Sequence, residues 1–391
     1  MDILFVSHSA DLLGAERSLL AVVREAVRVG GHRVTVALPA DGPLRTELVA
    51  VGASVVMLPT RLWMGHRHNR LVGSIRLLQA AWSLGRYRRY LARTRPDLVV
   101  TNSVVIPVGA VAARLARIPH VWVVRESLAS NPNLRSVLPR SAIARSVGHL
   151  AHGIIVISEY VAGQLVRAAP SAGPKVQVIP PAITPWPGAG AATPRHAGSG
   201  PERVVMLGRY TSEKGQADAI TALGICARAG RPFQLRLAGL GGPDACRAAS
   251  ELATAHGVAD LVETTEWTDD PQALYRWADA TLMLSRNEAY GRVTVESLMA
   301  GTPVIAFRAG ASAEILAGGG GVLVEPRADA LARAMLELAA DAAAFDRLRI
   351  DAVRRGREFR AAPSSAAAFV TYLERLYRDN PPLCPSLGRH R

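Results

Sequence analysis

The chain has 391 residues, enough for two or three domains at roughly 100–200 residues each. It carries 46 Lys+Arg against 32 Asp+Glu, a net charge of +14. Three widely spaced cysteines, Cys226, Cys246 and Cys384, exclude a disulfide framework and a zinc site and point to a reducing, cytoplasmic compartment. The charge is uneven: residues 1–184 hold 22 basic and 9 acidic residues, and residues 185–391 hold 24 and 23. Only Lys175 and Lys214 are lysines; the rest of the basic residues are arginines, which together with abundant alanine reads as a compositional bias. A lysine in this background carries more information than an arginine. Met1 to His8 has no basic n-region or cleavage site, so no signal peptide is expected there. No run approaches the ~18 clean apolar residues of a spanning helix.

Short apolar runs alternate with amphipathic stretches. Ile3–Ser7, Val34–Leu38, Ser54–Leu58, Leu98–Thr101, His120–Val124, Ile154–Ile157 and Val176–Ile179 are predicted strands. Helical spacing lies between most of them, as at Glu16–Val29 with Leu19, Leu20, Val23 and Val27. Strand and helix in alternation predict a parallel sheet with helices on both faces. Residues 185–201 are rich in Pro, Gly and Ala without periodicity, as expected of a linker. The alternation restarts with Arg203–Leu207, Gln234–Ala238, Leu261–Thr265, Thr281–Ser285, Pro303–Phe307 and Gly321–Val324. The organisation is therefore α/β: a Rossmann-like domain over 1–184, the linker 185–201, and a second over 202–362. A helix over 363–380 carries Phe369, Tyr372, Leu373, Leu376 and Tyr377 on one face, and a disordered tail is expected at 381–391. Two such sheets are expected to face each other across a cleft, with ligands at the carboxyl ends of the strands.

Two loops carry the chemistry. Gly208-Arg209-Tyr210-Thr211-Ser212-Glu213-Lys214-Gly215 follows a predicted strand and opens a helix. Glycine permits close backbone approach, the helix start offers N–H groups, and Arg209 and Lys214 add two cations, a combination suited to a diphosphate. The second loop, Glu288-Ala289-Tyr290-Gly291-Arg292, runs into a helix over Arg292–Met299 that carries Glu296. Carboxylates there suit hydrogen bonding to vicinal hydroxyls of a sugar or ribose, and the helix start is a second anion-binding element. Asp269-Asp270 reads as a helix cap rather than a metal motif.

The order and spacing of these elements resemble the retaining glycosyltransferases of family 4, which have the GT-B fold. GRYTSEKG (208–215), AGLG (238–241), EAYGRVTVE (288–296) and MAGTPVIA (299–306) carry the resemblance, with GAERSLL (14–20) and VISE (156–159) in the first half. It covers nearly the whole chain. It implies two Rossmann-like domains, a nucleotide-diphosphate sugar of the UDP or GDP type as donor, and a final helix packed on the first domain. Arg209 and Lys214 would clamp the diphosphate, with Gly208 and Gly239 nearby, Glu296 would hold the ribose, and Glu288 would contact the transferred sugar. The backbone from Ala289 through Tyr290 and Gly291 to Arg292 would meet sugar and phosphate, and Gly14 would approach the donor. His8, Arg125 and Glu126 would stand on the acceptor or phosphate side. No metal or other cofactor is expected, and the acceptor would be lipid-linked, a glycan or a small molecule.

The chain departs from the family pattern in three places. Leu13-Gly14 stands where many members have two glycines. Arg125-Glu126 stands where many have a histidine. Glu266 replaces a glycine before the aromatic Trp267.

The cations of the first half concentrate in Arg61–Arg95, with nine arginines and Trp63, His66, His68 and Trp82. Arg86, Arg89 and Arg93 fall near one helical face, with Tyr87 and Tyr90 beside them. A solvated basic face, an anionic membrane surface with the aromatics at headgroup depth, and an acidic or phosphorylated soluble acceptor are the three readings. No recognition motif for nucleic acid accompanies the charge. Attachment to the inner face of the cell membrane is the expectation. An epimerase or sugar-phosphate synthase of the same superfamily is the alternative activity, and a glycan-binding module a weaker one. A nicotinamide dehydrogenase is disfavoured because G-x-G-x-x-G is missing from the first loop.

Overall fold

A computed structural model describes residues 1–65, 70–129, 131, 134–136, 138–183, 200–266, 268 and 270–381, with the backbone alone over 70–81. Most of the expected linker, the tail from 382 onward, Trp267, Asp269, and His66, Arg67 and His68 lie outside the described residues, as do the side chains of Arg70 and Arg76. The chain forms two units, Met1–Thr184 with Pro363–Arg391, and Pro185–Ala362.

In the first unit, β1 (Asp2–Val6), α1 (Gly14–Arg28), β2 (Arg33–Leu38), α2 (Pro43–Ala50) and β3 (Ser54–Met57) come first. They are followed by β4 (Met64–Gly65), α3 (Arg70–Thr94), β5 (Leu98–Thr101), α4 (Val108–Ala116), β6 (His120–Val124) and β7 (Arg135–Ser136). Then come α5 (Arg140–Leu150), β8 (Gly153–Val156), α6 (Glu159–Ala168) and β9 (Val176–Val178). The main sheet is parallel with order β3-β2-β1-β5-β6-β8-β9, and β4 and β7 form a small antiparallel ribbon. The inner strands β5, β6 and β8 are buried throughout, as continuous apolar strands covered on both faces must be.

The second unit contains β10 (Arg203–Leu207), α7 (Gln216–Arg228), β11 (Gln234–Ala238), α8 (Gly242–Ala255), β12 (Val262–Thr265), α9 (Pro271–Trp277) and β13 (Ala280–Met283). It continues with α10 (Arg292–Met299), β14 (Val304–Phe307), α11 (Ser312–Leu316), β15 (Gly321–Val324), α12 (Ala328–Ala340) and α13 (Ala342–Ala361). Its sheet has the order β12-β11-β10-β13-β14-β15, parallel throughout. In both sheets the order reverses beside the first strand, β1 or β10, the kind of switch point at which open α/β sheets bind ligands. Strand limits differ from the sequence expectation by one or two residues, most usefully at β13. That strand stops at Met283, so Ser285 already belongs to the loop that carries Glu288.

The last helix, α14 (Ser365–Asp379), belongs to the first unit. The Ser364 hydroxyl caps it by accepting from the Ala367 N–H. Phe369, Val370, Leu373 and Leu376 are buried in one core with Leu19, Leu20 and Val23 of α1 and Phe5 of β1. Phe5 and Phe369 lie 6.5 Å apart, and His32 and Glu374 close the edge at 2.9 Å.

The basic segment divides more sharply than its composition suggests. Ser83, Tyr87 and Leu91 face inward on α3, and the Tyr87 hydroxyl shares a 2.8 Å hydrogen bond with that of Thr60. Trp63 stacks on the buried Trp122 with ring centroids 6.0 Å apart, and its indole N–H donates to the Val104 carbonyl. Tyr87 is therefore a core residue that does not reach headgroup depth, and Trp63 is half-buried against Trp122. Sequence proximity to arginines does not reveal which side of a helix an aromatic occupies. Among the described residues no helix is long and apolar enough to cross a membrane.

Candidate active site

In the second unit the site is built on glycines before it is built on charges. Gly208 ends β10, and its N–H donates to the Ala238 carbonyl at 2.9 Å. A Cβ on Gly239 would sit 1.8 Å from the Gly208 carbonyl oxygen, so that close approach of two strand ends requires glycine. Gly215 adopts the left-handed conformation and starts α7. The Arg209 carbonyl accepts from the Gln216 side chain at 3.0 Å, which leaves the exposed Arg209 guanidinium facing solvent without an ion-pair partner among the described residues.

The loop after β13 is held from two sides. The Arg286 N–H donates to the Glu213 carbonyl at 3.0 Å, and the Arg286 guanidinium pairs with Asp218 of α7 at 2.6 and 3.1 Å. Farther along, the Glu288 carbonyl accepts from the Ala311 N–H at 2.9 Å. Gly310 makes this possible, because a Cβ there would lie 2.2 Å from that same oxygen. These clamps bring together two residues 74 positions apart: Lys214 Nζ donates to Glu288 Oε2 at 2.7 Å. The pair is partly exposed, so it contributes only about 0–1 kcal/mol to stability, and its importance is that it fixes a cation and a carboxylate at one point.

Gly291, left-handed at φ 102°, turns the chain into α10. The first N–H groups of that helix, at Arg292 and Val293, have no intrahelical acceptor, the arrangement that suits an anion at a helix start. One turn on, Glu296 is held by Arg292 at 3.3 Å and accepts from the buried Tyr275 hydroxyl, also at 3.3 Å. Tyr290 is buried, and burial together with the nearby Glu314 carboxylate pushes its hydroxyl up to about 12, so it stays protonated. Asp270 caps α9 by accepting from the Ala273 N–H.

Residues of the first unit lie at the carboxyl ends of its own strands. Gly14 opens α1. His8, after β1, stands 3.5 Å from the buried Glu16, and its Nδ1 is buried without a hydrogen-bond partner among the described residues. Arg125, after β6, donates through Nε and Nη2 to Asn102 Oδ1 at 3.1 and 2.8 Å. The Glu126 carboxylate accepts from the Ser103 hydroxyl and from the Val104 and Arg125 N–H groups, so it organises the ends of β5 and β6.

Sequence reasoning singled out Lys214, Glu288 and Glu296 as candidates but did not reveal what positions them. Tyr275, Gly310, the Arg286–Asp218 pair and, in the first unit, Glu16 were missed. Only the run Gly301-Thr302-Pro303, which stops α10, and the Ser-Arg at 285–286 hinted at a shaped loop. Neither reveals a contact with α7.

Comparison with known proteins agrees with this architecture. Residues 13–185 match the family model described as Glycosyltransferase Family 4, and residues 194–359 match Glycosyl transferases group 1. The 2-deoxystreptamine glucosyltransferase of Streptomyces kanamyceticus is 28% identical over 283 residues, covering 66% of this chain and 72% of the relative. A D-inositol 3-phosphate glycosyltransferase of Segniliparus rotundus is 29% identical over 263 residues, covering 64% of this chain and 56% of that one. Among solved structures, Anabaena Alr3699/HepE in complex with UDP superposes with a TM-score of 0.74 at 21% identity, covering 97% of this chain and all of the other. The fold is GT-B, and the chain belongs to glycosyltransferase family 4.

Proposed function

We propose that this glycosyltransferase takes a sugar from a nucleoside diphosphate sugar of the UDP or GDP type and transfers it, with retention and without a metal ion, to a hydroxyl of a lipid-linked, glycan or small-molecule acceptor. The observation that carries the reading is the Lys214–Glu288 pair between two glycine-built loops. Breaking the anomeric C–O bond leaves negative charge on the diphosphate and positive character on the sugar. Lys214, Arg209 and the starts of α7 and α10 stabilise the first charge as preorganised electrostatics, and Glu288 lies beside the sugar. Glu296, steadied by Tyr275 and Arg292, is suited to the ribose hydroxyls. With the diphosphate oxygen as base, the acceptor attacks on the face the leaving group vacates. A likeness of the same fold that holds UDP supports the nucleotide class. The alternative, an epimerase or sugar-phosphate synthase, is less favoured because the curated relatives named above are glycosyltransferases. Attachment to the inner membrane face belongs to the same reading and rests on the basic surface of the first unit.

The test is a panel of UDP- and GDP-sugars, followed by nucleotide release with and without lipid extract, with the anomeric configuration of the product read by NMR. Release from one donor with a retained anomer is expected. An inverted product would remove the retaining mechanism, and no release from any member of the panel would remove the donor class.

A further inference from the structure

Residues 48–96 contain no aspartate or glutamate, and α3 runs through most of that stretch. Its buried face uses Ser83, Tyr87 and Leu91. One residue around the helix, Trp82, Arg86, Arg89 and Arg93 repeat at intervals of three and four, which aligns them in a stripe about 16 Å long. All four are exposed, Trp82 at 54%. The Arg86 guanidinium lies over the Trp82 ring, 5.4 Å from its centroid. Arg86, Arg89 and Arg93 also line a groove of about 500 Å³ with Leu58, Tyr90 and Thr94.

Like charges three and four apart on a helix repel, at a few tenths of a kcal/mol per pair. Elsewhere the chain relieves this: Arg247 pairs with Asp244, Arg333 with Asp329, Arg349 with Asp346, and Arg354 with Asp351 and Glu358. Among the described residues, no ion pair involves an arginine between 82 and 95. Compositional bias explains arginine in place of lysine, but it does not explain why Arg86, Arg88, Arg89 and Arg93 share one stretch of helix with no carboxylate among them. A stripe of cations that lacks carboxylate partners among the described residues fits an anionic partner from outside. An exposed tryptophan continuing the same stripe adds an amphipathic ring suited to the bilayer interface.

We infer that the Trp82–Arg93 stripe of α3 docks the first unit on an anionic lipid bilayer, with the Arg86–Arg89–Arg93 groove receiving lipid phosphate groups and Trp82 at headgroup depth. This rests on the membrane-face reading given above and narrows it to one helix face, from which Tyr87 and Trp63 are excluded.

The test is flotation of the full chain with phosphatidylcholine vesicles and with equimolar phosphatidylcholine–phosphatidylglycerol vesicles, at low and high salt. Binding to the anionic vesicles alone, reversed by salt, is expected. The triple variant Arg86→Gln, Arg89→Gln, Arg93→Gln should lose about 100-fold in partitioning, at about 1 kcal/mol for each cation near the surface. Trp82→Ala should weaken binding with the charge intact. A control triple at the exposed Arg28, Arg114 and Arg145, each changed to Gln, should bind much more tightly than the stripe variant. Equal losses in the two triples would overturn the assignment in favour of net charge. Binding of inorganic pyrophosphate at the stripe without vesicle binding would overturn it in favour of a soluble anion. Thermal melting of both triples confirms that they are folded. Nucleotide release by the wild-type chain without vesicles tests the transferase reading separately: a chain that releases nucleotide but does not float defeats only the docking site.

Discussion

Lys214 shows what single residues disclose and what they withhold. As one of two lysines in an arginine-biased chain, following a strand and preceding a helix, it stood out in the sequence as a candidate phosphate ligand. Its pairing with Glu288 was not, because nothing local links positions 74 apart. The same holds for Glu296, whose spacing was visible and whose support from Tyr275 was not. Burial conceals other chemistry. His120 lies wholly inside the first unit, bonded at 2.8 Å to the Thr101 hydroxyl, and burial followed by the nearby His152 pushes its pKa down to about 3 from 6.5. Between those values the unfolded chain binds a proton that the folded chain refuses. Stability is therefore complete above the unfolded pKa and falls as the pH drops through that window, by about 1.4 kcal/mol per pH unit. Urea unfolding between about pH 7 and pH 5 should show this slope, and His120→Gln should make it shallower. An unchanged slope in the variant would assign the acid sensitivity to other groups.

At the level of elements, periodicity identified most strands and the final helix, since a parallel sheet covered on both faces needs continuous apolar strands. It missed the β4–β7 ribbon, whose two-residue strands are too short to show a period. It also placed Tyr87 on the wrong side of α3, because inward and outward faces there are separated by a single residue. The apolar face of α14 required a surface, and the structure supplies the core around α1 and β1. Leu373 is fully buried there. Leu373→Ala should cost about 2–5 kcal/mol through lost burial and a residual cavity, measured as a lower urea midpoint. A change below about 0.5 kcal/mol, typical of surface positions, would mean that α14 is dispensable to the first unit.

Across the whole molecule, the uneven charge acquires a structural meaning. Arginines of the second unit are widely paired with carboxylates, whereas among the described residues Arg86, Arg89 and Arg93 of α3 have no ion pair. Family membership accounts for the architecture and the transferase class, and leaves the donor, acceptor and membrane to experiment. In the proposed mechanism Lys214 and Glu288 act as one donor site. A double-mutant cycle on nucleotide release measures that coupling, with Lys214→Ala, Glu288→Gln and both together compared by kcat/KM. Each single change should cost about 10- to 100-fold, the range of one charge-assisted hydrogen bond, and the double should cost little more than the worse single, as groups acting as a unit do. Singles with wild-type release, or losses that multiply independently, would contradict the account.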